Sequence, residues 1–139
     1  MIVVKLIGGL GNQLFQYALG RNLAIKNNTN LKLDITGFEK YKLRKYSLNH
    51  FNIVEDFASE KDIPKFLSKT GNARKIERLG NLIFSSVKYT SEESTSFNKN
   101  ILSLRGSCYF EGYWQSEQYF KEISEVIKKE IIVKKPEKI

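Results

Sequence analysis

The opening seventeen residues, M-I-V-V-K-L-I-G-G-L-G-N-Q-L-F-Q-Y, constrain this chain more than any other stretch. An apolar run (Ile2, Val3, Val4, Leu6, Ile7) feeds straight into Gly8-Gly9-Leu10-Gly11, and an amphipathic helical pattern begins at Asn12. Strand, glycine turn and helix in that order belong to an α/β protein. Glycines let backbone N–H groups approach a ligand, and the helix N-terminus adds partial positive charge, so such a turn suits an anion such as a nucleotide diphosphate.

The rest of the chain continues the α/β pattern. Residues 2–7 read as a buried parallel strand. Residues 12–26 read as a helix with Leu14, Phe15, Ala18, Leu19, Leu23 and Ile25 on its buried face. Gly20 sits in mid-helix, where it costs about 1 kcal/mol against Ala, and close packing on the sheet is the simplest reason for it. Residues 31–35 complete a β-α-β unit, which implies a right-handed crossover. Beyond it the pattern predicts a basic loop over 36–49 and a short strand over 51–54. Helices follow over 59–67 and 72–84, then a strand over 87–90 and a polar loop over 91–100. An aromatic strand over 107–114 precedes a helix capped by Ser116 and running to about residue 130. These elements predict a Rossmann-like parallel sheet with flanking helices in a domain over 1–132, followed by a charged linker over 133–139.

A length of 139 residues suits one domain with a real core. The lone Cys108 rules out an internal disulfide and reads as a buried strand residue. No run approaches the ~18 apolar residues of a membrane span, and Lys5 and the glycines interrupt the N-terminal run, so a cytoplasmic protein is expected. The net charge of +8 favours anionic partners without choosing among them.

Several chemistries drop out. There is no Gly-Lys-Ser/Thr phosphate loop and no nucleophile elbow, and one histidine with one cysteine makes a zinc site improbable. His50, beside Phe51, reads as a partly buried loop histidine rather than a base. A dinucleotide fingerprint is incomplete: Gly9 and Gly11 supply two glycines, Leu14 occupies the third position, and Asp34 stands about where a ribose-binding acid belongs. Asn12 and Gln13 are uncharged amides able to donate to phosphate or sugar oxygens, and substituting them is expected to weaken function without unfolding the chain. The basic, aromatic stretch at 40–46 has three readings: a solvated loop, a grip on single-stranded nucleic acid, or the border of an anionic substrate with Arg44 best placed. At 112–117, Trp114 either stacks on a sugar while Gln115 bonds a hydroxyl, or the aromatics are core and Ser116 is only a cap.

Four segments in order resemble the bacterial α-1,2-fucosyltransferases. They are G-G-L-G-N-Q-L-F-Q-Y-A-L-G-R at 8–21, L-D at 33–34, R-K-Y-S-L-N-H-F-N-I at 44–53 and G-Y-W-Q-S-E-Q-Y-F at 112–120. The resemblance implies the N-terminal domain of a two-domain, GT-B-type glycosyltransferase that moves L-fucose from GDP-fucose to the 2-hydroxyl of a terminal galactose with inversion. It implies no metal and no cofactor, a galactose-terminated glycan as acceptor, and no nucleic-acid partner. The setting it suggests is surface-glycan or O-antigen synthesis, with peripheral contact at the inner membrane face. Carried over by position, it points to Gly9, Gly11, Asn12 and Gln13 as substrate-binding residues; Arg44, Trp114 and Gln115 join the candidate substrate-binding set from the reading of their own segments. The family's His-x-Arg-x-Gly-Asp donor motif does not occur in these 139 residues. The chain therefore reads as an N-terminal half with its donor domain absent, its catalytic residues unassigned and little expected activity alone. A non-catalytic nucleotide- or carbohydrate-binding module, an inactive remnant and an NAD-type enzyme are the alternatives.

Overall fold

The computed structural model describes residues 1–68 and 87–136. Four strands, β1 (Ile2–Lys5), β2 (Leu31–Asp34), β3 (Lys88–Ser91) and β4 (Cys108–Glu111), form one sheet in the order β2-β1-β4-β3. All three pairings are parallel, with Ile2 opposite Leu31 on one side and Cys108 on the other. Helix α1 (Leu10–Lys26) joins β1 to β2. The protein is a Rossmann-like α/β fold.

The strand order fixes where the core lies. The β1-to-β2 and β3-to-β4 connections each step one strand across the sheet in the same direction. With right-handed crossovers both fall on the same face. The main apolar cluster bears this out: Tyr17, Leu19 and Leu23 of α1 meet Ile101 from the β3–β4 connection, over Ile2, Val4 and Phe110. The helix approaches the sheet most closely at Gly20, where an added Cβ would stand 2.4 Å from Val4 Cγ2 and 2.7 Å from Leu31 Cδ1. Close packing is thus the reason for a mid-helix glycine. Alternation along β1 and β4 turns Val3 and Tyr109 to the opposite face, where both are fully buried. Tyr109 donates its hydroxyl to the buried Asp34, whose other oxygen accepts from Thr36 N (3.0 Å) and Oγ1 (2.7 Å). Cys108 is buried, and burial raises its thiol above the ordinary value.

Several elements differ from the sequence pattern. Helix α1 begins at Leu10, two residues early, so Gly11 lies inside it and Gly9 is its N-cap. Its buried face is also rotated: Gln13, Gln16 and Asn22 are buried, while Ile25 is exposed. The expected strand over 51–54 is absent, and only single bridges form, from Phe51 to Val133 and from Phe57 to Leu33. Residues 59–68 form two 3-10 turns, Glu60–Asp62 and Lys65–Ser68, because Pro64 disfavours helical backbone at the residue before it. The helix expected over 72–84 lies outside the described residues.

Ser116 does cap, its Oγ accepting from Gln118 N (3.3 Å), but the helix after it is broken. Two 3-10 turns, Glu117–Tyr119 and Lys121–Ile123, precede helix α2 (Ser124–Glu130). Asn22 Nδ2 takes the Tyr119 carbonyl (2.8 Å), a tertiary bond that competes with helical pairing. The stretch expected to be a linker from residue 133 starts pinned: Val133 bridges Phe51, and Lys134 N donates to His50 O (2.8 Å).

Two predictions follow from this packing. Gly20→Ala should destabilise the protein by about 1–3 kcal/mol despite alanine's better helix propensity, because Val4 and Leu31 must move; urea unfolding measures it. The phenols of Tyr17 and Tyr109 are pushed above their ordinary value, first by burial and then by Glu130 and Asp34 respectively. Their neutral forms therefore support folding fully below the unfolded value of about 10, and that support is lost as pH rises past it. Thermal melts should be level from neutrality to about pH 9 and fall above about pH 10.

Candidate functional site

Parallel neighbours β1 and β4 bring the loops at their carboxyl ends side by side, the position where open α/β sheets bind ligands. After β1 the chain turns at Gly8 with φ +76°, a left-handed conformation that favours glycine. An added Cβ there would also stand 2.5 Å from Asn12 Nδ2. Gly9 then opens α1 with no side-chain cap and no acidic residue in the first turn. The first-turn N–H groups therefore remain available at the positive end of the helix. Open space surrounds the Cβ position of Gly11.

Two buried glutamines organise this end of the sheet. Gln13 Nε2 donates to Gly8 O (3.0 Å) and Lys45 O (2.9 Å), and its Oε1 accepts from Ser47 N (2.9 Å). Gln16 Oε1 accepts from Ile7 N (3.0 Å) while its Nε2 donates to Gly112 O (3.0 Å). One residue thus ties the glycine turn to the 45–47 loop, and the other ties the β1 end to the β4 end. Sequence reasoning assigned Gln13 to a ligand; its amide is instead fully engaged inside the protein, so it positions the site. Gln16 went unnoticed, although a glutamine three residues after Gln13 on the same helical face is the signal that finds it.

The strut at Gln13 sets Arg44 over the turn. An added Cβ on Gly9 would lie 3.7 Å from Arg44 Nε and 3.8 Å from its Cζ. Arg44 is exposed, and among the described residues its guanidinium makes no ion pair or hydrogen bond. From the β4 side, Gln115 is exposed and donates to Asn12 Oδ1. The first and last motifs of the sequence therefore meet, and Gly9, Asn12, Arg44 and Gln115 share one rim.

Trp114 does not join them. It is 1% exposed, edge-on to Phe110 (5.9 Å) and Tyr119 (5.7 Å), and offers no open face on which a sugar could stack. Its φ of +57° is a left-handed conformation costing of order 1–3 kcal/mol in a bulky residue. The Glu92 carboxylate holds it there, accepting from Trp114 N (2.9 Å) and Tyr113 N (3.3 Å). Asp34 is also removed from the ligand list: both its oxygens are engaged and it is 1% exposed, which takes away the ribose-binding acid of the dinucleotide reading. His50 is exposed instead of partly buried, and it closes the 3-10 turn Leu48–His50. Among the described residues no cluster of three or more His, Cys, Asp or Glu side chains is placed to hold a metal ion, and no helix is long and apolar enough to cross a membrane.

Comparison with known proteins adds one relative. The chain is 36% identical over 134 residues to an alpha-1,2-colitosyltransferase of Escherichia coli. The match takes in 92% of this chain but 43% of that protein, so the chain spans less than half the length of the relative it matches. No family model matches the chain, and no solved structure does.

The two amides should separate on substitution. Gln13→Ala strands two carbonyls and one N–H and should lower stability by about 2–4 kcal/mol. Asn12→Ala removes one rim contact and should stay within about 0.5 kcal/mol of wild type. Equal unfolding midpoints for the two variants would remove Gln13 from its structural role.

Proposed function

We propose that this chain is the N-terminal part of a glycosyltransferase that moves a sugar from a nucleotide diphosphate donor to a hydroxyl of a glycan. The observation that carries the reading is Arg44, unpaired and lying against Gly9 at the uncapped N-terminus of α1. The similarity to a colitosyltransferase supports it. In the finer form implied by the motifs, the donor is GDP-fucose, the acceptor is the 2-hydroxyl of a terminal galactose, and the reaction inverts the anomeric centre. The net charge of +8 suits work on lipid-borne glycans at an acidic membrane surface.

The chemistry fits such a rim. The acceptor oxygen forms a bond to the anomeric carbon as the bond from that carbon to the diphosphate oxygen breaks, and the hydroxyl proton passes to a base. Negative charge grows on the departing diphosphate. Fixed donors aimed at that charge lower the barrier, because they bind the transition state more tightly than the ground state. Arg44 contributes a full positive charge, the first turn of α1 contributes N–H groups, and Asn12 and Gln115 orient one another beside them.

The test is transfer, by a full-length form that includes the C-terminal half, from GDP-fucose to a galactose-terminated oligosaccharide, read by product mass, with a colitosyl donor run in parallel. Arg44→Ala should cut turnover about 100-fold or more, the scale of losing one charge-stabilising donor, whereas Lys42→Ala on the same loop should change it little. Full turnover in Arg44→Ala would overturn the assignment. Transfer from the colitosyl donor alone would replace fucose with colitose and leave the site intact.

A further inference from the structure

The loop that carries Arg44 has a part that the site does not use. From Glu39 to Lys45 every residue is exposed. Lys40, Lys42, Arg44 and Lys45 stand there against the single carboxylate of Glu39. Among the described residues the ammonium groups of Lys40, Lys42 and Lys45 make no ion pair or hydrogen bond, whereas Lys5, Lys26, Lys32 and Lys128 are each paired with a carboxylate.

Two apolar side chains lie between these cations. Leu43 is 79% exposed, more than any other large apolar side chain among the described residues, and Tyr41 is 51% exposed. The root of the loop is fixed by contrast. Gln13 binds Lys45 O (2.9 Å) and Ser47 N (2.9 Å), and Tyr46 packs edge-on to Phe57 (5.3 Å). The fold thus presents an unpaired basic tip with a bare leucine on an anchored base.

An anionic bilayer and a single-stranded nucleic acid both answer the charge, and the apolar groups separate them. A nucleic-acid strand needs aromatic faces on which bases stack. Tyr46 is spent on Phe57 and donates its hydroxyl to Glu55, which leaves Tyr41 alone. Leucine offers bases no ring, but it gains by leaving water for hydrocarbon. Tyrosine settles at the headgroup level, and lysine stems lie along the acyl boundary while their charges reach the lipid phosphates.

We infer that the 40–45 loop seats the protein on an anionic bilayer, with Leu43 entering the acyl boundary, Tyr41 at the headgroups, and Lys40, Lys42 and Lys45 on the lipid phosphates. The seat rests on the glycosyltransferase reading for its purpose. Arg44 lies against Gly9 at the root of the same loop, so the rim is held near the surface that would present a lipid-borne glycan. The binding itself is independent of that reading.

Cosedimentation with vesicles tests it. The intact protein should bind vesicles of equimolar phosphatidylcholine and phosphatidylglycerol and stay in solution with phosphatidylcholine alone. Lys42→Gln should weaken binding about fivefold, the scale of one lysine at an anionic surface. Lys121→Gln removes the same charge beside Glu122, whose partner Lys26 ends α1 away from Gly9, and should leave binding unchanged. Leu43→Ser should weaken binding about tenfold or more, the scale of a leucine withdrawn from water, with an unchanged melt because the residue is exposed. Equal losses in Lys42→Gln and Lys121→Gln, the mark of net charge alone, would overturn the inference. So would binding that Leu43→Ser leaves intact, or loop-dependent binding of oligouridylate in place of vesicles. Transfer to a soluble oligosaccharide without vesicle binding would fell the membrane seat and leave the transferase reading standing; loop-dependent vesicle binding without transfer would do the reverse.

Discussion

The amide of Gln16 is the contact on which the carboxyl end of the sheet depends. The sheet ladder ends before Ile7 N and Gly112 O, and a single buried side chain supplies both with partners. Without it, a donor and an acceptor at adjacent strand ends would be buried unpaired, and nothing would fix the spacing of the two loops. Gln13, one turn earlier on α1, repeats the device between the glycine turn and the loop that carries Arg44. Helix α1 is therefore a jig as well as a core element. Its apolar residues hold it to the sheet, and its amides set the relative positions of three loops.

This division explains a helix that is poorly amphipathic for one so deeply buried. Its core-facing side carries Gln13, Gln16 and Asn22, each burying polar atoms that must be bonded to avoid a penalty of about 1–3 kcal/mol. Gln13 and Gln16 find backbone partners for both ends of their amides, whereas Asn22 donates to the Tyr119 carbonyl and keeps a buried Oδ1 without a partner among the described residues. Such bonds have strict geometry, whereas apolar contacts tolerate sliding, so polar burial specifies where the loops stand at the expense of some stability. The same logic governs Glu92, which fixes a strained residue in place instead of leaving the β4 loop relaxed.

What the sequence made legible follows the strength of local signals. The β1–glycine turn–α1–β2 unit is read correctly because an apolar run, glycines and a helical period agree within 35 residues. The packing role of Gly20 and the burial of Cys108 were legible for the same reason. The failures lie where distant groups decide. Nothing local tells that Asn22 will take the carbonyl of Tyr119 and break the helix after Ser116, or that Phe51 will make a single bridge to Val133 in place of a strand over 51–54. In the site, Gly9, Gly11 and Asn12 lie at the N-terminus of α1, Arg44 on the adjoining loop and Gln115 after β4. Gln13 was misjudged because residue type alone does not distinguish an amide spent on backbone from a free one, and of the two readings of Trp114 the structure takes the core one.

The β4 loop finally separates two electrostatic environments within four residues. Toward Gln115 the neighbours are an arginine and an uncapped helix N-terminus, both favouring negative charge. Toward Trp114 the neighbour is the Glu92 carboxylate, which disfavours an anion. Desolvation sharpens the contrast, since charges in partly enclosed sites are less screened than at open surface. The left-handed backbone at Trp114, which the Glu92 carboxylate holds, produces that contrast. This gives the left-handed turn at Trp114 a physical purpose: it sends that ring inward while its neighbour Gln115 remains on the rim.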